Sequence, residues 1–227
     1  MRMEIAPGVI RFGGIRGANS YGCLTGEGIA VIDTGLPGNG KRILGQIRDM
    51  GISPGQVRQI ILTHSDIDHA GSAAELRLTT GAPVAVHSDD ARGLEERSAQ
   101  KSVKGLGGLL LRLLKAFIEF SPVAPDILLE DGSDIAGLKV IHCPGHTKGS
   151  ICLYKPGAFL ITGDAVLGDR KGLVKGPSRA LSADIGQARE SLKKLTALEY
   201  DILLPGHGKP ALRDPSAALR ELAARRR

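Results

Sequence analysis

Within Leu62-Thr63-His64-Ser65-Asp66-Ile67-Asp68-His69-Ala70-Gly71, two imidazoles and two carboxylates fall inside six residues. Neutral imidazole and carboxylate are the side chains that hold divalent ions such as zinc, iron or manganese. The preceding run Gln59-Ile60-Ile61-Leu62 predicts a buried strand, and Ala70 to Leu76 predicts the opening of a helix. The four donors then belong to a loop at the C-terminal end of a strand, where open α/β sheets place their chemistry. If the loop stays extended, His64, Asp66 and Asp68 share one parity and His69 breaks it as the chain turns. One short loop could in this way address two metal positions.

Four further segments end an apolar run in an acid or an imidazole beside glycine. They are Ala30-Val31-Ile32-Asp33-Thr34-Gly35, Val140-Ile141-His142-Cys143-Pro144-Gly145-His146, Leu160-Ile161-Thr162-Gly163-Asp164 and Leu203-Leu204-Pro205-Gly206-His207-Gly208. Glycine lets the backbone turn sharply and lets a ligand come close. His87 and His142 also sit at strand ends, and both are read as hydrogen-bonded structural residues. Cys143, three residues before His146, is read as a small packed side chain.

Most of the chain serves to position these ends. Strands are predicted at 8–12, 20–24 and 28–33, then a helix from Lys41 to Met50 that stops at Gly51. The strand before His64 follows, then one at 83–87. A strand over 134–141 leads to His146, and a hairpin of 150–154 with 158–161 turns at Pro156-Gly157. A helix over 182–198 has Asp184 near its start, 202–204 form the strand before His207, and Asp214-Pro215-Ser216 begins a last helix. Residues 106–120 are apolar nearly all round, so as a helix they need cover on more than one side. They suit a groove wall, a homodimer contact through 103–120, a membrane surface or plain core.

In this order and on these residues the chain resembles the metallo-β-lactamase superfamily of metal-dependent hydrolases, from about Val31 to His207. The resemblance implies an αββα sandwich of two mixed β-sheets flanked by helices, as a single domain over 1–227 with a helical insertion at about 89–122. It implies a binuclear centre of two divalent metal ions, zinc first, with iron or manganese as alternatives. The first ion would be held by His64, Asp66 and His146 and the second by Asp68, His69 and His207, with Asp164 bridging. Asp68 would also be catalytic, orienting the attacking water and passing a proton to the leaving group. Asp33 would stand behind the ligands and orient their loop. The family's central motif is usually His-x-His-x-Asp-His, whereas this chain reads His64-Ser65-Asp66-Ile67-Asp68-His69. Asp66 replaces an imidazole by a charged, hard oxygen donor, a change that favours iron or manganese relative to zinc. The expected activity is hydrolysis of a small ester, lactone or thioester. An iron-dependent oxidoreductase or dioxygenase, a phosphodiesterase or nuclease, and a metal-binding protein without turnover are the alternatives.

Composition narrows the partners. A chain of 227 residues with 42% hydrophobic residues suits one well-buried α/β core. Aromatics are 3% with no Trp, so that core must be aliphatic, and stacked recognition of single-stranded nucleic acid is not expected. The net charge of +6 attracts anions; part of it lies in the tail Arg225-Arg226-Arg227, and Arg170, Lys171, Lys175 and Arg179 form a basic stretch after Asp164. No apolar run reaches the roughly 18 residues of a membrane span. Met1-Arg2-Met3-Glu4 is not followed by an apolar signal segment, and three cysteines without paired spacing suit reduced thiols. A small-molecule substrate and a cytoplasmic location are expected.

Overall fold

The structure is a computed structural model that describes residues 2–96 and 121–224. The apolar stretch 106–120, the dimer contact expected of 103–120, most of the insertion expected at 89–122, and the 225–227 tail lie outside the described residues. The chain divides into two compact units, Met1–Leu128 and Leu129–Arg227.

The first unit is built on a seven-stranded mixed sheet. Its strands, in spatial as in chain order, are β1 (Met3–Ala6), β2 (Val9–Arg11), β3 (Tyr21–Thr25), β4 (Gly28–Ile32), β5 (Val57–Ile61), β6 (Val84–His87) and β7 (Ile127–Leu129). β1 to β4 form an antiparallel meander, and β4, β5 and β6 run parallel. Parallel neighbours need crossovers, which here are helical. α1 (Gly40–Arg48) links β4 to β5; α2 (Ile67–Ala70) and α3 (Ala73–Thr80) link β5 to β6; α4 (Ser88–Glu95) follows β6.

Ile43, Leu44 and Ile47 of α1, Leu76 of α3 and Leu94 of α4 form one aliphatic cluster with Ile29, Val31, Ile60, Val84 and Val86 of the sheet. Each such side chain, fully buried, stabilises the fold by about 1.5–3 kcal/mol. The start of α1 is held from α3, because the Glu75 carboxylate accepts the N–H groups of Gly40 (3.1 Å) and Lys41 (3.2 Å). That places a negative charge on otherwise unsatisfied helix-terminal donors.

The second unit holds a five-stranded mixed sheet ordered β14-β11-β10-β9-β8. Its strands are β8 (Asp134–Ile135), β9 (Leu138–His142), β10 (Ile151–Lys155), β11 (Phe159–Gly163) and β14 (Ile202–Pro205). β8 to β11 are antiparallel in succession, and β14 lies parallel to β11. The single strand expected over 134–141 is in fact a tight hairpin. Ala136 (φ 52°) and Gly137 (φ 73°) turn between β8 and β9, and positive φ at both positions is what a two-residue hairpin needs. β12 (Leu167–Gly168) and β13 (Val174–Lys175) form a separate two-stranded ribbon.

The helix expected over 182–198 is shorter, Ile185–Leu195, and Asp184 is its N-cap, its carboxylate accepting Gln187 N–H at 2.9 Å. The last helix is Pro215–Ala224. Leu192, Leu195 and Leu219 of these helices join Leu160, Leu203, Cys143 and Cys152 in the core of the second unit. Cys143 is therefore a packing residue, as its sequence context suggests. No helix among the described residues is long and apolar enough to cross a membrane.

Candidate metal centre

Each unit carries its own group of metal-capable side chains at the C-terminal end of a parallel strand pair. In the first unit, β5 delivers Leu62 and Thr63 in fully buried positions, and His64 follows with no exposure. Asp66 keeps an extended backbone (φ −63°, ψ 141°), but its carbonyl accepts the N–H groups of His69 and Ala70, both at 2.9 Å. The chain is thus helical from Ile67, and Asp68 and His69 stand on α2. The extended parity expected through Asp68 does not hold, and the longer helix starts at Ala73 instead of Ala70. Tertiary contacts fix this turn. Thr34 donates its N–H (2.6 Å) and its hydroxyl (2.9 Å) to the His69 carbonyl, and Ala18 N–H donates to the Asp68 carbonyl (3.0 Å). Winding the loop brings the His69 ring back against His64, with centroids 4.0 Å apart and planes tilted by 48°.

Asp33 stands behind both imidazoles. It adopts the left-handed conformation (φ 54°), which Asp tolerates better than most residues. Its Oδ1 accepts the Thr63 N–H at 2.8 Å. Its Oδ2 lies 2.8 Å from the Thr63 hydroxyl and 2.8 Å from His69 Nδ1. A ring that gives its Nδ1 proton to a carboxylate presents Nε2 as the metal-binding atom. The same Thr63 hydroxyl lies 3.0 Å from His64 Nδ1. Asp90, fully buried on α4, accepts the Ser65 N–H at 2.8 Å and so holds the loop between His64 and Asp66.

Sequence reasoning found Asp33 through the family resemblance and missed Thr63 and Asp90. Thr63 carried one usable signal, a hydroxyl immediately before the first histidine. Asp90, 25 residues further along a charged helix, carried none.

In the second unit, His146 follows Pro144-Gly145 and is buried. Gly145 has φ 132°, and a Cβ there would run into the Ala188 backbone. Only glycine lets this turn lie against the helix Ile185–Leu195. Backbone bonds fasten it: Asp184 N–H to the Gly145 carbonyl (2.9 Å) and Ala183 N–H to the His146 carbonyl (3.1 Å). Asp164 follows β11. Its Oδ2 lies 3.3 Å from His146 Nε2, and its Oδ1 lies 3.6 Å from His207 Nε2. One carboxylate thus faces two imidazoles, one oxygen to each. His87 and His142 have structural partners: His87 Nδ1 accepts Asp89 N–H at the start of α4 (3.2 Å), and His142 Nε2 donates to the Lys148 carbonyl (2.8 Å).

These separations test whether the donor set suits a metal. Two ligands on one tetrahedral ion, each about 2.0–2.1 Å from it, lie roughly 3.3 Å apart. The two Asp164 separations fall in that range, as does His64 Nε2 to Asp66 Oδ2 at 3.6 Å. The Asp33 contacts, at 2.8 Å, are hydrogen bonds. The residues present therefore fit metal ions, and Asp66 sits with the donors.

Arg170, Lys171 and Lys175 of the basic stretch after Asp164 belong to the β12–β13 ribbon, and Arg179 lies beyond it. Gly168 N–H donates to the His207 carbonyl (2.8 Å) and Lys209 N–H to the Asp169 carbonyl (3.0 Å), which ties the ribbon to the His207 turn. The Leu173 N–H (2.9 Å), with that of Lys171 (2.7 Å), holds the Asp169 carboxyl below the usual carboxylate range. Arg170, Lys171 and Lys175 are exposed on this ribbon.

Comparison with known proteins shows the family and the fold. A sequence profile of the metallo-beta-lactamase superfamily matches residues 13–207. The protein named "Probable metallo-hydrolase YflN" of Bacillus subtilis is 32% identical over 199 residues, covering 79% of this chain and 75% of that one. A second from the same organism, "Probable metallo-hydrolase YqgX", is 31% identical, covering 84% and 85%. Among solved structures, a metallo-β-lactamase family protein of Thermus thermophilus superposes with a TM-score of 0.75 at 23% identity, over 97% of this chain and 80% of that one. A metallo-β-lactamase of Cronobacter sakazakii described by its HARLDQ motif gives 0.73 at 24% identity, over 98% and 90%. The α/β fold of two mixed sheets with flanking helices is the one these structures share. By profile, by relatives and by fold, the chain belongs to the metallo-β-lactamase superfamily.

Proposed function

We propose that both donor groups serve one binuclear centre, and that the protein hydrolyses a small ester, lactone or thioester. In this reading 1–227 acts as one functional domain. His64, Asp66 and His146 would hold one divalent ion, Asp68, His69 and His207 the other, and Asp164 both. Bound there, the ions would bring the pKa of water towards neutrality and polarise the scissile carbonyl. The protein side chains do the rest. Asp33 and Thr63 hold the imidazoles in place. Asp68, fixed on α2 by the Ala18 contact to its carbonyl, orients the attacking water and passes a proton to the leaving group. No Ser or Cys nucleophile is needed; Cys143 and Cys152 are buried in the aliphatic core.

The observation that carries this reading is Asp164, with one oxygen on each of two imidazole nitrogens at ligand-to-ligand spacing. Zinc is the first choice of metal. The test is elemental analysis of protein purified without added metal, followed by a panel of esters, lactones, thioesters and phosphodiesters. Two divalent ions per chain and turnover of an acyl substrate are expected. One ion per chain on His64 and His146, with the α2 donors unused, would sink the binuclear assignment.

A second reading is favoured by Asp66, whose carboxylate stands among the donors where the family usually has an imidazole. Hard oxygen donors suit iron or manganese. Bound iron with redox-dependent spectra, and no hydrolysis across the acyl panel, would replace the hydrolase by an iron-dependent oxidoreductase. The basic ribbon keeps a phosphodiesterase in view, and salt-sensitive binding of nucleic acid is its signature.

A further inference from the structure

The hydrogen-bond chain behind His64 and His69 has one carboxylate at its root and one hydroxyl in its middle. Asp33 receives the Thr63 N–H on Oδ1, and the Thr63 hydroxyl and His69 Nδ1 on Oδ2, all at 2.8 Å. Three donors on one carboxylate leave it acting only as an acceptor. The hydroxyl has a single proton, and the charge-assisted bond to Asp33 is shorter than its 3.0 Å approach to His64 Nδ1. With that proton committed to Asp33, the Thr63 oxygen is left to accept from His64 Nδ1–H.

We propose that Thr63 is a positioning residue that relays the acceptor character of Asp33 to His64, so that one carboxylate sets both imidazoles to present Nε2. His69 is set directly and His64 at one remove. The inference rests on the reading that both rings are metal donors, but the tautomers can be read without metal. Ordinarily each ligating imidazole needs its own partner for the second nitrogen. Here one buried Asp–Thr pair serves two rings whose centroids are 4.0 Å apart.

The mechanism makes separable predictions for three variants. Thr63→Val keeps the shape but removes the acceptor, so only His64 loses its fixed tautomer. Thr63→Ser keeps the hydroxyl and should restore it. Asp33→Asn is nearly isosteric, and Asn also tolerates the left-handed backbone of position 33. Its amide in the Oδ2 position would donate, so His69 Nδ1 must accept. The Thr63 hydroxyl, now accepting from the amide, turns its proton to His64 Nδ1. Both rings would then carry their proton on Nε2, the atom the metal needs.

The experiment is nitrogen-15 NMR of histidine-labelled, metal-free protein at about pH 8.5, two units above the ordinary imidazole pKa of about 6.5. Zinc affinity is measured alongside by competition with a chromophoric chelator. Wild type and Thr63→Ser should show Nδ1–H at both rings. Thr63→Val should lose that state at His64 alone, with roughly 10–100-fold weaker zinc binding. Asp33→Asn should invert both. Nε2–H at His64 in wild type, an unchanged His64 signal in Thr63→Val, or inversion of His69 alone in Asp33→Asn would overturn the relay. If the tautomers behave as stated and zinc does not bind, the relay stands and the metal assignment fails.

Discussion

Asp33 follows β4 of the first unit and Asp164 follows β11 of the second. Each strand runs parallel to a neighbour whose end delivers an imidazole, β5 to His64 and β14 to His207. The two aspartates nevertheless meet different surroundings. Asp33 takes three hydrogen bonds at 2.8 Å, two of them from Thr63, the residue before His64. The residue before His207 is Gly206. It has no side chain to offer, and its N–H goes to the Gly163 carbonyl at 2.7 Å. The Asp164 oxygens lie 3.3 and 3.6 Å from the imidazole nitrogens of His146 and His207. The backbones differ as well: Asp33 is itself left-handed (φ 54°), whereas in the second unit the positive φ falls on Gly163 (φ 48°) and the β11–β14 register shifts between Ile161 and Gly163.

The sharpest way to break this comparison is to substitute both aspartates alike. Asp164→Asn should lose more bound metal and more activity than Asp33→Asn. An outer partner costs about 10–100-fold in affinity, and Asp164 is read as a ligand of both ions. Elemental analysis after dialysis ranks the two variants. If Asp33→Asn loses the more metal, the roles drawn from the distances are reversed.

Next in size is Gly145→Ala. Its φ of 132° and the Ala188 backbone against its Cβ position leave no room for a methyl group, so the His146 turn must move. Residues forced into such conformations cost of the order of 1–3 kcal/mol each before any clash is counted. Gly81 has φ 71° with nothing near its Cβ position, so Gly81→Ala is the matched change in the first unit and should cost only about 1–2 kcal/mol. Urea unfolding midpoints compare the two. Metal content should fall for Gly145→Ala alone.

How much of this was legible beforehand follows from what each feature depends on. The strand ends at Asp33, His64, Asp164 and His207 could be read because an apolar run, a glycine and a donor lie within a few residues of one another. The winding of Ile67–Ala70 could not be read. It depends on Thr34 and Ala18 gripping the His69 and Asp68 carbonyls from distant loops. The β8–β9 hairpin was hidden because Ala136, an unusual residue for positive φ, occupies half of its turn. Thr63 looked like one more β-branched residue at a strand end. Its role appears only once Asp33, 30 positions earlier, is seen to curl back on it.

A smaller effect is expected at Asp66. Asp66→His exchanges a charged oxygen donor for an imidazole in a position 3.6 Å from His64 Nε2. Zinc should gain relative to manganese by about tenfold, since imidazole suits zinc and carboxylate suits manganese. Competition between the two metals reads the ratio directly. An unchanged ratio means that Asp66 contacts no ion, and the donor group of the first unit then shrinks to His64, Asp68 and His69.

The smallest effect concerns charge. The donor loop of the first unit is acidic, with Asp66 and Asp68 on it and Asp90 behind it, whereas the His207 turn of the second unit carries the exposed cations Arg170, Lys171 and Lys175 on its tied ribbon. If the ribbon guides an anionic acyl substrate, replacing Arg170 and Lys171 by Gln should raise KM about two- to threefold at low salt and leave kcat alone. Exposed charges act through solvent and are screened over about 8 Å at physiological ionic strength, so the effect should fade as salt is added. Lowering the pH should not abolish it early. The Asp169 carboxyl that shapes the ribbon is held below the usual range by the Leu173 N–H, so it stays ionised until the pH has fallen past the point where an ordinary carboxylate protonates. A neutral ester of the same size is the control. An equal change in KM for both esters would show that the ribbon shapes the cleft sterically and that its charge is incidental.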